Sequence, residues 1–372
     1  MTLFQTILDH LPIKKNKIVF VNFGGLGWGD NPKYITAELL RQKSTYDLVW
    51  LVSDKNTQLP KGIRKVMLYS RRARIELATA KIIVRNIKNG ISFHKKAHQY
   101  YIQTWHGDFP LKFIEKEAEN DLNPIYLAET KADSSKIDLI LSGSAFFSKI
   151  VRTSFWYDGE ILECGLPRND IFFQRKSLIP TIIRRQLGIS EDLSIVLYAP
   201  TFRDHGELFS FPEFTSVLNT LKRITGREWV FIVRLHPNDR QRANEIPYSS
   251  KIINGSFLPD MQELEKAADF LITDYSSVMY DFVLQHKPVV LYTPDLESYR
   301  THCRNLRPLY DELPFLRASG NEELQHVILD AFSADYQKKV DTFFRERVRY
   351  FDDGHASESV VQRIHHVISN DA

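Results

Sequence analysis

The stretch from Trp229 to Pro237 reads WVFIVRLHP, and about forty residues later the stretch from Phe270 to Ser277 reads FLITDYSS. Both begin with an apolar run of strand length, which is typical of a parallel strand buried on both faces. Both runs end in polar residues, an arginine and a histidine in one case and two serines in the other. Because ligands of open α/β sheets bind outside the carboxyl ends of the strands, these endings predict a phosphate-binding edge.

Arg234 and His236 are the candidates that follow the first run. They are two residues apart, so they share one face of an extended chain, and Pro237 stops the strand directly after them. An arginine offers a bidentate fork to phosphate oxygens. We therefore expect a strand from Trp229 to Leu235 whose end presents both side chains to an anion.

Ser276, Ser277 and Asp281 are the candidates that follow the second run. A helix is predicted from Ser276 to Gln285, and serine is a favoured cap at a helix start, where free N–H groups bind anions. Asp281 lies one turn beyond Ser277 on the same face, where a carboxylate suits a ribose diol. Capping without a ligand, and an acid that merely complements the helix dipole, are the alternatives.

The whole chain alternates strands with helices, which indicates an α/β protein with parallel sheets. Its 372 residues favour two domains. We expect two doubly wound, Rossmann-like domains that face each other across a cleft. The N-terminal domain is placed at 1–185 and the C-terminal domain at 186–350. A C-terminal helix at 351–372 is expected to pack back on the first domain.

The composition argues against several classes of protein. The two cysteines, Cys164 and Cys303, are far apart in the sequence, so neither a disulfide framework nor a cysteine zinc site is expected, in keeping with a reducing cytosol. The N-terminal residues show no signal-peptide pattern, and no apolar run approaches the ~20 residues of a membrane-spanning helix. We expect neither a metal nor a cofactor, because no acidic cluster has metal-ligand spacing.

One segment concentrates positive charge. Between Lys61 and Lys96 the chain has 11 Lys and Arg residues and one acid, Glu76, although its totals of 49 basic and 46 acidic residues are nearly balanced. This basic block indicates an anionic partner, and we expect it to form a positive face that binds an anionic membrane surface. Arg71, Arg72 and Arg74 cannot share one face of a short helix, so some should point outward. No nucleic-acid-binding motif accompanies the charge, and plain solvation is the alternative.

Two segments of the first half also follow predicted strands. The loop from Gly24 to Gly29 is rich in glycine but lacks the G-x-G-x-x-G spacing, so a dinucleotide site is disfavoured. His106 follows a strand, and a histidine in that place projects into the crevice at the edge of the sheet. Asp108 is a candidate to orient the imidazole. A histidine that is merely hydrogen-bonded within a loop is the alternative.

Five ordered motifs resemble the CDP-glycerol glycerophosphotransferases, a family that includes teichoic acid polymerases and primases and related capsule enzymes. The motifs are TWHG from Thr104, GLPRND from Gly165, LYAPTFR from Leu197, RLHP from Arg234, and the stretch from Asp269 to Val289. The resemblance runs from near Asp30 to near Gly354. It implies a GT-B-like fold, with an acceptor-side domain at 1–185 and a CDP-donor-binding domain at 186–350. This agrees with the two doubly wound domains expected from the alternation of elements.

The resemblance also implies roles for the candidate residues. His106 matches the general base that deprotonates the acceptor hydroxyl. The donor roles fall to residues of the second half: Arg234 and His236 at the pyrophosphate, Ser276 and Ser277 at the helix start that holds phosphate, and Asp281 at the ribose. Members of the family attach peripherally to the membrane, which gives the basic block a purpose.

One departure from the family concerns the acceptor side. The family usually reads His-Gly-Thr-Pro-Leu-Lys, whereas this chain reads HGDFPLK from His106 to Lys112. The segment is one residue longer and has an acid in place of the threonine. Asp108 and Lys112 are therefore the acceptor-side candidates, and a different acceptor or alditol is expected.

The sequence thus predicts an alditol-phosphate transferase. In first place we expect glycerol 3-phosphate to move from CDP-glycerol to a hydroxyl of a cell-wall or capsule glycan or a lipid-linked acceptor, with release of CMP. His106 and His236 are the predicted catalytic residues. The alternatives are a GT-B glycosyltransferase that uses a nucleotide sugar, and a non-catalytic glycan- or membrane-binding relative. The expected location is cytoplasmic, peripheral on the inner face of the cell membrane.

Overall fold

The computed structural model describes residues 3–88, 90–203, 210–303 and 306–370. The chain divides into two compact units. The first comprises Met1–Asp108, Ile114–Asp170 and Tyr350–Ala372, and the second comprises Phe109–Phe113 and Ile171–Arg349. Each unit contains one parallel sheet, so the predicted α/β class with two parallel-sheet domains is confirmed.

Seven strands form the sheet of the first unit within the described residues. They are β1 Lys14–Val21, β2 Asp47–Val52, β3 Ile63–Met67, β4 Ala80–Arg85, β5 Tyr100–Gln103, β6 Leu139–Ser142 and β7 Glu160–Glu163. Their order in the sheet is β3-β2-β1-β4-β5-β6-β7, and every neighbouring pair is parallel. The order reverses between β1 and β4, so the carboxyl ends of these two strands border the crevice where such sheets bind ligands.

Six strands form the sheet of the second unit within the described residues. They are β8 Ser194–Tyr198, β9 Trp229–Val233, β10 Ile252–Asn254, β11 Phe270–Thr273, β12 Val289–Tyr292 and β13 Leu316–Ala318. The order is β10-β9-β8-β11-β12-β13, again with parallel neighbours. This order reverses between β8 and β11, so the predicted phosphate-binding strands β9 and β11 lie on either side of β8.

Helices pack against both sheets. In the first unit they are α1 Leu3–His10, α2 Asp30–Arg41, α3 Arg71–Thr79, α4 Pro124–Ser134 and α5 Ala145–Ser154. From the unit boundary onward they are α6 Asp170–Phe173, α7 Ile179–Leu187, α8 Phe214–Thr225, α9 Met261–Ala267, α10 Val278–Val283, α11 Leu296–Ser298, α12 Leu309–Glu312, α13 Asn321–Ala331 and α14 Ala334–Phe343, followed by α15 Ala356–Ser369 in the first unit. Short 3-10 and π turns span Glu115–Ala118, Pro167–Asn169, Pro237–Glu245, Tyr299–Cys303 and Phe344–Val348.

Local sequence explains where several helices begin and end. The Ser144 hydroxyl accepts a hydrogen bond from the Phe147 N–H at 3.0 Å and so caps α5. Gly226 ends α8 in the left-handed conformation at φ 69°, which glycine adopts without steric cost. In β1, Ile18 and Phe20 face one apolar layer while Val19 faces the other. From Ile18 to Val21 both faces of the strand are thus buried, which is why this second half of its sequence is continuously apolar.

The division between the units differs from the predicted boundaries at 185/186 and 350/351. The chain passes into the second unit after Asp170, because α7 packs on α9 and the Lys266 ammonium donates to the Phe172 carbonyl at 3.1 Å. It returns at Tyr350, and α15 packs on α2 in the first unit. The segment Phe109–Phe113 belongs to the second unit, where the Phe109 ring stacks on the ring of Tyr280 at 5.8 Å.

Candidate functional site

His106 lies just beyond the carboxyl end of β5 in the first unit. Its Nδ1 is 2.8 Å from the backbone carbonyl oxygen of Asn86, which follows β4. A carbonyl can only accept, so Nδ1 carries the proton and Nε2 keeps the lone pair of the neutral ring. Burial lowers the pKa of His106, although the Asn86 carbonyl works in the opposite direction. The ring is therefore a neutral base at physiological pH.

A ladder of asparagines fixes the loop beside this ring. The Asn86 side-chain amide donates to Asn22 Oδ1 at 2.9 Å, and the Phe23 N–H donates to Asn86 Oδ1 at 2.7 Å. The Phe23 ring lies 5.5 Å from the imidazole of His106 in an edge-on arrangement. At Gly25, with φ 95°, a Cβ would come within 2.8 Å of the Ser53 nitrogen. The glycine-rich loop is thus a tight turn packed against its own sheet.

Arg168 braces the histidine from the other side. Its Nη1 donates to Asp30 Oδ2 at 2.8 Å and to the backbone carbonyl of His106 at 2.9 Å. The backbone N–H of Arg168 donates to Asn31 Oδ1. The side-chain NH2 of Asn31 in turn donates to the Trp105 carbonyl. The DNPK segment at the start of α2 and the GLPRND motif therefore hold the TWHG motif. We call Asp30, Asn31, Arg168 and His106, together with Asn22 and Asn86 of the asparagine ladder, the histidine edge.

The two acceptor-side candidates, Asp108 and Lys112, lie in different units. Asp108 is buried in the first unit beside Gly143, where an added Cβ would approach Asp108 Oδ2 to 3.0 Å. Lys112 belongs to the second unit, where its ammonium lies 5.4 Å from the ring centre of Tyr299. The carbonyl of Asn86 orients the His106 ring through Nδ1. The sequence pattern predicted Asp108 in this role.

In the second unit, a buried ion network occupies the reversal point between β8 and β11. The Asp274 carboxylate follows β11 and accepts from the Thr201 N–H at 2.9 Å and from Arg203 Nη2 at 2.9 Å. Arg203 also donates through Nε to Asp295 at 2.6 Å, and the Tyr275 hydroxyl donates to the same carboxylate. Burial alone would lower the pKa of Arg203, but the two carboxylates raise it. The arginine therefore stays charged and ties the ends of β8 and β11 together.

Ser276 and Ser277 come next in the chain, where both are half-buried. The helix α10 begins at Val278, two residues later than predicted, with Ser277 as its cap position. The Ser276 hydroxyl accepts from the Val278 N–H at 3.3 Å, so this serine closes a local turn. Asp281 is buried at 2% exposure, and Gln262 donates to its Oδ2 at 3.4 Å. Its role at the ribose stays a prediction.

Arg234 and His236 follow β9, which ends at Val233 rather than at Leu235 as predicted. The Arg234 guanidinium is half-buried and donates to the carbonyls of Gly255 and Leu258. His236 is exposed, and its ring stacks on Phe202 with centres 5.5 Å apart. Both residues lie at the carboxyl edge of the second sheet, as Ser276 and Ser277 do. We call these four residues, with Arg203 and Asp274, the serine edge.

Sequence reasoning did not single out the residues that brace the two edges. They are Asn22, Asp30, Asn86 and Arg168 in the first unit, and Arg203, Asp274 and Asp295 in the second. Several stand inside quoted motifs, such as Arg203 in LYAPTFR and Arg168 in GLPRND. Their position inside short motifs could therefore have indicated a role for them. Their pairing, however, depends on contacts between distant strands.

A family model for CDP-glycerol:poly(glycerophosphate) glycerophosphotransferases matches residues 3–366. The chain belongs to this glycerophosphotransferase family. The teichoic acid poly(glycerol phosphate) polymerase of Staphylococcus epidermidis is 32% identical, with 95% of this chain and 51% of that protein covered. The polymerase of the same name from Bacillus spizizenii is 29% identical, with 96% and 94% covered. The chain thus spans about half the length of one of these glycerophosphotransferases and nearly all of the other.

Solved structures support the same family assignment. A structure of the wall teichoic acid polymerase TagF, in a histidine variant soaked with CDPG, matches with a TM-score of 0.86 at 29% identity, covering 99% of this chain and 94% of that one. The UDP-bound MnaA of Staphylococcus aureus matches with a TM-score of 0.51 at 13% identity, a likeness of fold alone. The recognised resemblance and the class of fold are confirmed.

In the part of the chain that the structure describes, no group of three or more His, Cys, Asp or Glu side chains is placed to hold a metal ion. Over the same residues, no helix combines the length and the apolar character that crossing a bilayer requires.

Proposed function

We propose that this glycerophosphotransferase transfers glycerol 3-phosphate from CDP-glycerol to a hydroxyl of a teichoic acid chain. The acceptor oxygen attacks the phosphorus nearer the glycerol, its proton passes to a base, and CMP leaves with the bonding electrons. The observation that carries this proposal is the state of His106. Its Nδ1 donates to the Asn86 carbonyl, so the lone pair on Nε2 is available to take the acceptor proton.

The serine edge is proposed to hold the donor. Arg234 supplies positive charge at the same sheet edge as the half-buried hydroxyls of Ser276 and Ser277. His236 is assigned to the pyrophosphate with Arg234, and Asp281 is assigned to the ribose. Charge that develops on the departing CMP is then stabilised by fixed cations and N–H groups rather than by mobile water. Arg203 is proposed as a positioning residue, because it holds Asp274 and through it the backbone that leads to the serines.

A donor panel tests this proposal. The purified protein would be given CDP-glycerol, CDP-ribitol or a nucleotide sugar together with a teichoic acid acceptor, and released CMP and nucleoside diphosphate would be measured. We expect CMP from CDP-glycerol. Nucleoside diphosphate from a nucleotide sugar would establish glycosyl transfer instead, and the absence of turnover with every donor would favour a non-catalytic relative. A glycan or lipid-linked acceptor that outperforms the teichoic acid chain would revise the acceptor.

We also propose that the protein works peripherally at the inner face of the cell membrane. The basic block does not form one face as expected, because Lys81, Arg85 and Lys88 are buried. A smaller surface remains: Arg71, Arg72 and Arg74 are exposed on α3. The neighbouring helix α1 packs on α3 and exposes Leu3 at 80% and Ile7 at 52%. Exposed apolar groups beside arginines suit the boundary of an anionic leaflet.

Vesicle sedimentation tests the membrane proposal. Replacing Arg71, Arg72 and Arg74 by glutamate should reduce binding to vesicles rich in anionic lipid, and added salt should weaken wild-type binding because exposed charges are screened beyond ~10 Å at 0.1 M. Turnover with a soluble acceptor should stay near the wild-type rate. Equal vesicle binding by the two proteins would reject this role of α3, and loss of soluble turnover would point to a glycan ligand instead.

A further inference from the structure

A second basic cluster borders a cavity at the opposite edge of the first sheet. The cavity has a volume of about 790 Å³, and its wall includes Lys15, Lys81, Lys95 and Lys96 with one carboxylate, Asp9. These lysines stand near the start of β1, near the start of β4 and just before β5. They therefore mark the amino-terminal edge of the sheet, whereas His106 follows the carboxyl end of β5. Since β4 has six residues, a strand length of about 20 Å separates the two edges.

Backbone carbonyls hold two of these lysines in place, and a carboxylate holds a third. The ammonium of Lys81, which is buried, donates to the His98 carbonyl at 2.7 Å, and that of Lys96 donates to the Leu11 carbonyl at 2.6 Å. A carbonyl orients an ammonium group but carries no net charge. The carboxylates that act on these two lysines at longer range are Asp138 for Lys81 and Asp9 for Lys96. Lys95 differs, because its partner at 2.8 Å is the carboxylate of Asp138. Within the wall, Asp9 is engaged with His94 at 3.0 Å.

The electrostatics of the cavity favour an anion. Burial lowers the pKa of Lys81 and the nearby charge of Lys15 lowers it further, while the Asp138 carboxylate works in the opposite direction. Burial likewise lowers the pKa of Lys96, against the opposing effect of Asp9. Several ammonium groups that crowd one another are stabilised when an anion enters among them, since opposite charges at close range favour the charged forms. An anion that accepts from such groups forms charge-assisted hydrogen bonds.

The size and lining of the cavity narrow the ligand further. Its volume falls within the ~300–1,000 Å³ typical of small-molecule sites, so there is room for more than a bare phosphate ion. Leu11, Ile13 and Ala97 provide apolar wall between the lysines. A ligand that alternates a negatively charged group with a short carbon chain matches both the lysines and the apolar residues of the wall.

We propose that this cavity binds a glycerol-linked phosphodiester, the group shared by glycerol phosphate polymers and phosphatidylglycerol headgroups. The choice of this ligand rests on the proposed function, whereas the existence of an anion site rests on the cavity alone. Because the cavity lies a strand length from the histidine edge, it is a holding site and takes no part in the transfer of the phosphoryl group.

The test uses variants that remove charge but keep hydrogen-bond donors. Lys15→Gln with Lys96→Gln changes one exposed and one half-buried lysine, and Lys81→Gln reaches the buried one. Lys338→Gln with Lys339→Gln removes two exposed charges from α14 and serves as the matched control. One probe is a synthetic trimer of glycerol phosphate, with binding measured by calorimetry. The other is sedimentation with vesicles of phosphatidylglycerol, compared with vesicles of phosphatidylcholine.

We expect Lys15→Gln/Lys96→Gln to weaken binding by about tenfold or more, because two charge-assisted hydrogen bonds become weaker neutral ones. A loss seen with the trimer identifies the polymer as the ligand, and a loss seen only with phosphatidylglycerol vesicles identifies the headgroup. Equal binding by the wild type, this variant and Lys81→Gln overturns the proposal. An equal loss in the Lys338/Lys339 control overturns it too, because net charge alone would then explain the effect.

The binding test of the cavity does not depend on whether the proposed transferase function is correct. Both probes are measured without a CDP donor, so a protein that releases no CMP can still show the site. Conversely, the Lys15→Gln/Lys96→Gln variant should release CMP from CDP-glycerol at the wild-type rate with a short soluble acceptor. A fall in that rate would contradict the claim that the cavity takes no part in transfer.

Discussion

Replacing His106 by alanine tests the base assignment most directly. In the structure Nδ1 is engaged by the Asn86 carbonyl at 2.8 Å, so Nε2 is the ring atom that can accept a proton. Alanine removes it, and loss of a general base lowers turnover by ~10²–10⁴. This range corresponds to ~2.7–5.5 kcal/mol in the activation free energy. Donor binding should survive, because the predicted donor residues belong to the second unit.

The pH dependence of the wild type provides an independent readout. Burial lowers the pKa of His106 below the ordinary value of 6.5, so the neutral, active ring persists on the acid side of that value. The midpoint of the decline of kcat/KM at low pH should therefore lie below pH 6.5. Arg168 contributes to the lowering, so Arg168→Gln should move this decline toward higher pH, whereas Arg168→Lys should leave it nearly unchanged.

The assay is CMP release under saturating CDP-glycerol, with donor binding followed separately by calorimetry. His326→Ala serves as the matched control, because this histidine is exposed on α13 and bonds only locally, to the Glu322 carbonyl. A His106→Ala protein that folds, binds donor and turns over within a few-fold of the wild type would refute the assignment. A wild-type pH profile with no decline in rate at low pH would also refute the assignment. An alanine variant that keeps the same decline would refute it as well.

Three further predictions concern the serine edge. Arg234→Ala should raise the Kd for CDP-glycerol about tenfold or more in calorimetry, since it removes charge-assisted bonds to phosphate; an unchanged Kd would remove Arg234 from the donor site. Arg203→Met should lower the free energy of unfolding in urea by about 3–5 kcal/mol, because the buried carboxylate of Asp274 and the half-buried one of Asp295 lose their cation, and a loss below about 1 kcal/mol would contradict this network. In crystals soaked with CDP-glycerol, diphosphate oxygens should lie within hydrogen-bond distance of the Ser276 or Ser277 hydroxyls or the adjacent N–H groups, and density at the Gly24–Gly29 loop instead would revive a dinucleotide site.

Several elements could be predicted from the sequence because their signal is local. The strand from Phe270 to Thr273 is a continuous apolar run, as a strand buried on both faces must be, and it forms as expected. The polar residues that follow such strands are brought to sheet edges by the parallel topology itself. His106 and the pair Ser276 and Ser277 therefore stand at carboxyl edges without any need to know the packing.

Other features could not be predicted, because they depend on contacts between distant segments. The orienting partner of His106 is a backbone carbonyl, and carbonyls are present at every position of the sequence. The boundary between the units depends on α7 packing against α9, which periodicity does not reveal. The basic block looked like one positive face, but strand β4 takes Lys81 and Arg85 into the interior.

The sequence by itself determined the class of fold, the order of the elements, the family and the chemical types at the two edges. Each of these follows from residues that are neighbours in the chain, where period, length and terminating residues act directly on the backbone. Only the tertiary structure decided which nitrogen of His106 is free, that Asp281 is buried, and that lysines from three separate segments enclose one cavity. Protonation, burial and electrostatic coupling depend on distance in space, and folding sets that distance independently of separation along the chain.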